Sequence, residues 1–149
     1  MNKKEKAIAL FKDGYNCSQA VLLAFAEELG LDEKTALKLA TPFGGGMGRL
    51  REVCGAFSGL LMVAGLKYAP ADPKDQKAKA AHYALVQQLA EAFKKQNGSI
   101  ICRELLGVNG AQAPVPQERT EQYYKKRPCA DMVGSAAEIL EKLLSDNQK

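Results

Sequence analysis

Apolar side chains recur along this chain at intervals of three and four residues, the spacing that places them on one face of an α-helix. The clearest example is a stripe of apolar residues in the second half of the chain: Ala78, Ala81, Leu85, Leu89 and Phe93. Asn97-Gly98 follows this stripe and predicts the end of its helix. No segment alternates apolar and polar residues as a half-buried strand does, and no internal repeat is evident. The pattern therefore predicts an all-α fold.

Capping and helix-breaking residues give the approximate bounds of a bundle of about six or seven helices. The predicted helices cover approximately residues 2–12, 16–29, 32–40, 51–68, 72–97, 99–106 and 128–144. Asp72-Pro73 marks the start of the fifth helix, since proline suits the first helical position. The stretch 107–117 contains Gly110, Pro114 and Pro116, which predicts a long surface loop. The aromatic and basic stretch 123–127 is expected to be a short solvated segment before the last helix.

The predicted helix over 51–68 is apolar on nearly every face, which is typical of a helix in the middle of a bundle. It is also rich in small residues: Gly55, Ala56, Ser58, Gly59, Ala64 and Gly65. A glycine inside a helix costs about 1 kcal/mol relative to alanine, so these glycines need a compensating reason. Close contact with a neighbouring helix is the simplest reason, and room for a ligand or a second subunit is equally compatible with the pattern.

Length, composition and charge exclude several classes of protein for this chain. A chain of 149 residues has the size of one domain, which we predict over residues 1–149. A composition of 46% apolar and 26% charged residues is typical of a globular protein. The net charge of +4 is mild and its lysines are dispersed, so no nucleic-acid partner is expected. The longest nearly apolar stretch, 53–66, is shorter than the roughly 20 residues that span a membrane. No secretory signal is evident either, so we expect a cytoplasmic protein with reduced cysteines and no membrane partner.

Four cysteines carry the candidate chemistry: Cys17, Cys54, Cys102 and Cys129. They form no CxxC pair, so the local spacings of zinc fingers, thioredoxins and ferredoxins are absent. Each cysteine falls in or near a predicted first helical turn, with small or apolar residues three and four positions later, so each thiol should face inward. The positive end of a helix dipole stabilises a thiolate and lowers the pKa of cysteine. We therefore expect the fold to bring the four thiols together.

The segments around these cysteines resemble a known family. They read "GYNCSQAV", "FGGGMGRLREVCGAFSG", "ICRELLG" and "RPCADMV", and Cys54 begins a CGAxxG signature. The series is similar to the C_GCAxxG_C_C family, whose members are regarded as redox-active, and the likeness runs from Gly14 nearly to the end of the chain. The resemblance implies a redox role and an oxidoreductase or electron-transfer partner, but it carries no particular reaction.

The glycine-rich stretch Phe43 to Gly59 matches neither of the common phosphate-binding motifs. It lacks the lysine of GxxxxGK[ST], and no strand precedes it as a dinucleotide fingerprint requires. Its glycines permit positive φ and let the backbone pass close to a neighbouring group, such as one of the sulfurs. A weak candidate cofactor site consists of Gly44, Gly45, Gly46 and Arg49. Arg49 and Arg51 either offset negative charge near Cys54 or are solvated surface arginines, and the sequence favours neither reading.

Two redox interpretations and one rival follow. The four cysteines, Cys17, Cys54, Cys102 and Cys129, act either in dithiol/disulfide exchange or as ligands of an iron-sulfur cluster or another thiophilic metal. The absence of CxxC favours exchange slightly. The rival is a non-catalytic helical binding or assembly module with structural cysteines, for which a homo-oligomer is compatible with the small-residue helix. His82, the single histidine, lies at the edge of an apolar stripe and is expected to pack rather than react.

Overall fold

The computed structural model describes residues 1–146, apart from the side chain of Lys126. Within that range the chain folds into α-helices without a β-strand, so the all-α prediction is confirmed. The helices are α1 (Lys3–Lys12), α2 (Cys17–Ala26), α3 (Glu33–Ala40), α4 (Gly55–Tyr68), α5 (Gln76–Asn97), α6 (Cys102–Leu106), α7 (Glu121–Lys126) and α8 (Cys129–Asp146). A 3-10 turn, Thr41–Phe43, and a helical turn, Gly44–Met47, lie between α3 and α4.

The first three helices begin at the caps that the sequence predicts. Asn2, Asn16 and Asp32 each accept a hydrogen bond from the backbone amide three residues later, at 2.8, 2.9 and 3.0 Å. Asn16 also donates its own backbone N–H to the side chain of Gln19, which completes a capping box. These local hydrogen bonds fix where α2 starts, and therefore where Cys17 lies.

Three predicted helix starts are too early. Helix α6 begins at Cys102 rather than after Ser99, whose hydroxyl oxygen accepts the N–H of Ile101 at 2.9 Å in the turn before the helix. Helix α5 begins at Gln76 rather than at Asp72-Pro73, because the carboxylate of Asp75 accepts the N–H of Ala78 at 3.0 Å and serves as the cap. Asp72 instead accepts the N–H of Lys74 at 2.9 Å in the preceding turn. Helix α4 begins at Gly55 rather than near Arg51, because the residues before it form a β-bridge with the segment that leads into α6.

The segment before the last helix is not the solvated stretch that the sequence suggested. It forms α7, whose cap Thr120 accepts the N–H of Tyr123 at 3.2 Å through its hydroxyl oxygen. Tyr123 and Tyr124 pack against the core, and the Tyr124 ring meets Phe11 edge-on with ring centroids 6.0 Å apart. The burial of these two aromatic rings outweighs the cost of ordering a short basic segment.

The core lies where α4 packs between α2 and α8, with α1 against α8 on the other side. Its largest fully buried side chains are Phe11, Leu22, Phe25, Leu60, Phe93 and Leu140. A Cβ added at Gly59 would lie 2.9 Å from the carbonyl oxygen of Ser18 and 3.0 Å from the Cβ of Val21. Close contact between α2 and α4 therefore explains this glycine. No helix in the described range combines the length and apolar character that crossing a membrane requires.

Candidate functional site

All four cysteines line one cavity of about 60 Å³ at the end of the bundle where their helices begin. Cys17, Cys102 and Cys129 are the first residues of α2, α6 and α8, and Cys54 immediately precedes α4. All four are free thiols, with Cys54 and Cys102 buried and the other two partly exposed. The fold thus brings together four residues that are scattered along the sequence.

Cys17 and Cys129 interact directly. A hydrogen-bonding interaction with the thiol of Cys129, followed by burial, raises the pKa of Cys17 well above its ordinary value. The same interaction lowers the pKa of Cys129 to about 7, against the opposing effect of burial. The positive charges of three arginines add to this effect: Arg127, Arg51 and Arg119. The arrangement pairs one thiolate near neutral pH with one thiol beside it.

Cys54 and Cys102 are held by a single β-bridge. Val53 pairs with Ile101 in antiparallel orientation, and the N–H of Cys54 donates to the carbonyl oxygen of Ile100 at 2.7 Å. The N–H of Cys102 donates to the carbonyl oxygen of Glu52 on the other side of the bridge. Because successive side chains in extended backbone alternate in direction, both cysteines lie on the face opposite to Val53 and Ile101.

Burial controls the titration of this second pair. It raises the pKa of Cys54 to about 12, against the opposing hydrogen bonds from the N–H groups of α4. Burial also raises the pKa of Cys102, although Arg51 donates a hydrogen bond to its sulfur with Nη1 and Sγ 3.5 Å apart. The expectation that helix starts lower every thiol pKa is therefore wrong for all but Cys129. Desolvation exceeds the helix dipole at Cys54, and at Cys102 it also exceeds the effect of Arg51.

The glycine-rich stretch brings the backbone close to the cysteines. Gly45 and Gly46 have φ of 67° and 66°, in the left-handed region that favours glycine. A Cβ at Gly46 would lie 2.6 Å from the Cβ of Cys102, and one at Gly55 would lie 3.2 Å from the Cβ of Cys17. Both glycines thus allow an approach that any side chain would obstruct. Of the weak cofactor set, Gly45 and Gly46 line the cysteine cavity, whereas Gly44 and Arg49 line an adjoining cleft.

Three residues other than glycine share the left-handed conformation in this loop. Met47, Arg49 and Arg51 have φ of 70°, 69° and 59°. Such a conformation costs about 1–3 kcal/mol per residue and is found mainly at functional sites. The strained backbone directs Arg51 into the protein, where 5% of the residue remains exposed.

Gln112 fixes the two arginines of this loop, and sequence reasoning missed it. Its side-chain oxygen accepts from Arg51 Nη2 at 2.6 Å, from Arg51 Nε at 2.9 Å and from Arg49 Nη2 at 3.2 Å. Its backbone N–H donates to the carbonyl oxygen of Arg49 at 2.9 Å. The residue lies in the predicted loop after α6, and nothing in its local sequence distinguishes it from its neighbours.

Arg119 and Tyr123 also line the cavity, and neither was among the candidate residues. The Arg119 guanidinium lies over the Phe11 ring, 4.4 Å from its centroid, and donates to the carbonyl oxygens of Phe11 and Tyr15. The mixture of tyrosine and basic residues just before Cys129 is the sequence signal that could have indicated Tyr123. Arg119 carries no such local signal.

The described residues offer no group of three or more histidine, cysteine, aspartate or glutamate side chains placed to hold a metal ion. Metal or cluster ligation by the four cysteines stays a prediction. His82 does not line the cysteine cavity; it is partly buried on α5 with no hydrogen-bond partner for its buried Nδ1 in the described part of the chain.

Comparison with known proteins bears on this thiol site. A family model described as "Putative redox-active protein (C_GCAxxG_C_C)" matches residues 15–143, a span that includes all four cysteines. No curated protein and no solved structure matches the chain. Because the match covers most of the chain and the site that the fold assembles, the protein belongs to the C_GCAxxG_C_C family.

Proposed function

We propose that this protein performs thiol–disulfide exchange at Cys17 and Cys129. The observation that supports the proposal is that Cys17 and Cys129, the first residues of α2 and α8, line one cavity, where their thiols interact. Cys129 has the lowered pKa, near 7, and is partly exposed, so it is the attacking thiolate. A thiolate whose pKa lies near the ambient pH is close to the optimum for attack on a disulfide.

The exchange takes place in two balanced steps with a disulfide substrate. The Cys129 thiolate attacks one sulfur of the substrate, forms a mixed disulfide and releases the other half as a thiolate that takes up a proton. Cys17 then loses its proton and attacks the Cys129 sulfur, which forms the Cys17–Cys129 disulfide and releases the second half. The two cysteines lose two electrons, and the substrate disulfide gains them. The reverse sequence reduces the protein with two equivalents of thiol.

Cys54 and Cys102 do not react first in this scheme. Burial raises the pKa of both, so they remain protonated at neutral pH. They line the cavity beside the reacting pair and take no part in forming its disulfide. Ligation of a metal by all four thiols is the alternative, supported by their common cavity. We prefer exchange because the described residues present no set of three or more ligands at metal-binding spacing.

The experiment begins with protein purified without oxygen, whose iron content, visible spectrum and thiol count are recorded. The reduced protein is then treated with one equivalent of 2-hydroxyethyl disulfide and mapped by peptide mass spectrometry. We expect the loss of two thiols, a Cys17–Cys129 link and full recovery with reductant. The Cys17→Ser variant should stop at a mixed disulfide on Cys129, and Cys54→Ser should behave as the wild type. Four unreactive thiols, a different link, or broad visible absorbance with stoichiometric iron would contradict the proposal.

A further inference from the structure

A second cleft adjoins the cysteine cavity and has a volume of about 350 Å³, within the range of small-molecule sites. It shares Arg51, Arg119 and Tyr123 with that cavity, and Arg49 lines its far side. The glycine-rich turn forms part of its wall. We refer to the space lined by Arg49, Arg51 and Arg119 as the arginine cleft.

The positive charge of the arginine cleft has no carboxylate partner among the described residues. Among residues 1–146, no carboxylate lies within ion-pair distance of Arg49, Arg51, Arg119 or the nearby Arg127. Their hydrogen-bond partners are neutral: the side-chain oxygens of Gln112 and Gln117, backbone carbonyl oxygens and the sulfur of Cys102. Partly buried cations without a paired anion are costly, and a bound anion removes that cost.

Arg49 provides an independent sign of a ligand. Its Nε is buried and donates to no group in the described part of the chain. Desolvation, followed by the charges of Arg51 and Arg127, lowers the pKa of Arg49. The charges that lower the pKa of Cys129 come from other arginines, so stabilising that thiolate does not account for Arg49.

We infer that the arginine cleft binds the anionic end of the disulfide substrate, so that the protein reacts selectively with small disulfides that carry a carboxylate or another acidic group. The inference rests on the proposed exchange at Cys129. The shared wall between the cleft and the cavity places a bound anion next to the reacting pair. A guanidinium with an unused N–H is suited to this role, because it forms charge-assisted and often bidentate hydrogen bonds with carboxylates.

The test compares three disulfides of similar length and different charge: dianionic 3,3′-dithiodipropionate, neutral 2-hydroxyethyl disulfide and dicationic cystamine. The rate of mixed-disulfide formation at Cys129 is measured for each disulfide. It is then divided by the rate at which the same disulfide reacts with free 2-mercaptoethanol. We expect the dianion to react at least about tenfold faster than the neutral compound, the effect of one charge-assisted hydrogen bond. Arg49→Gln should remove most of this preference, and its circular dichroism spectrum and urea unfolding curve show whether the variant is folded.

Lys95→Gln is the matched control, because it removes one positive charge from an exposed position on α5 outside the cleft. Its preference for the dianion should equal that of the wild type. Equal normalised rates for all three disulfides would overturn the inference. An equal loss of preference in both variants would overturn it too, since net charge would then explain the selectivity.

A binding measurement separates this inference from the proposed function. Suberate has the length and charges of 3,3′-dithiodipropionate but no sulfur, and its binding to the reduced protein is measured by titration calorimetry. If suberate binds and Arg49→Gln weakens its binding about tenfold, the cleft holds anions. If no disulfide reacts at Cys129 in that case, only the proposed thiol–disulfide exchange is wrong. If Cys129 reacts with every disulfide alike and suberate does not bind, only the inference about the cleft fails.

Discussion

At the scale of single residues, Cys129 differs from the other three cysteines in its neighbours rather than in its position on a helix. All four lie at helix starts, yet only Cys129 has both a thiol donor and three arginines close enough to lower its pKa. The helix start supplies a favourable site for negative charge, and these neighbours decide whether the charge forms. Among the four sulfurs of the cavity, Cys129 therefore has the lowered pKa, whereas the pKa of each of the other three is raised.

Cys17→Ala should raise the pKa of Cys129, because it removes the hydrogen bond that contributes most to the lowered value. Iodoacetamide reacts with the thiolate, so the wild-type rate at Cys129 should reach half its maximum near pH 7 and fall at lower pH. The midpoint should move to higher pH in Cys17→Ala. It should stay near that of the wild type in Cys17→Ser, which retains a donor. Peptide mass spectrometry over a pH series measures the midpoint. An unchanged midpoint in Cys17→Ala would contradict Cys17 as the main cause of the lowered Cys129 pKa.

Gly46→Ala and Gly48→Ala should differ in their cost to stability although both glycines have positive φ. A Cβ at Gly46 meets the Cβ of Cys102 at 2.6 Å and the Cα of Arg51 at 2.9 Å, whereas one at Gly48 meets no atom within 4 Å. We expect Gly46→Ala to lower the free energy of unfolding by roughly 2–4 kcal/mol and Gly48→Ala by about 1 kcal/mol. Urea denaturation under reducing conditions measures both, and equal losses would show that the close approach is unimportant.

At the scale of elements, the segment between α6 and α7 has no helix of its own, yet it completes the site. Gln112 ties it to the strained arginine loop, and Arg119 ties its end to α1 and the turn after it. Partly buried hydrogen bonds to charged groups give this segment an order that its proline and glycine content alone would not. The loop is thus part of the wall of the site.

Gln112→Ala should loosen this segment, because two guanidinium groups lose their shared acceptor. We expect faster amide hydrogen exchange over residues 107–117 and a loss of about 1–3 kcal/mol in the free energy of unfolding. Val115→Ala is the control, since Val115 is 70% exposed and its side chain supports little packing. Unchanged exchange in Gln112→Ala would mean that other contacts hold the loop.

Local and remote interactions explain which features the sequence predicted. The caps at Asn16 and Asp32 and the apolar stripe of α5 depend on residues a few positions apart, so they can be read from the chain. The buried position of Arg51 depends on Gln112, and that of Tyr123 on packing against the core formed by other helices. Neither interaction leaves a periodic pattern, and both were missed. The pairing of Cys17 with Cys129 likewise required the fold.

At the scale of the whole molecule, the site joins segments from both ends of the chain. Helix α1 packs against α8, where a Cβ at Gly134 would lie 2.8 Å from the side chain of Ile8. Lys4 adds an ion pair to Glu138 at 3.3 Å. This packing holds the start of α8 beside the start of α2, and thereby Cys129 beside Cys17.

A Cys17–Cys129 disulfide should therefore stabilise the fold. It would close a loop of more than 100 residues in the unfolded chain, for which the chain-entropy model gives roughly 4–5 kcal/mol before any strain is subtracted. Urea unfolding of the oxidised and reduced proteins measures the difference. The Cys54→Ser variant should show the same gain, because Cys54 lies outside the bond. A lower free energy of unfolding in the oxidised protein would contradict the expected geometry.

The packing of α1 against α8 also affects when the protein becomes reactive during its synthesis. Cys17 is made early and Cys129 late, and the thiolate at Cys129 is stabilised by residues from three other segments. In a nascent chain these residues are apart, so Cys129 has the ordinary reactivity of an exposed cysteine. Completed folding therefore brings together the groups that lower the pKa of Cys129.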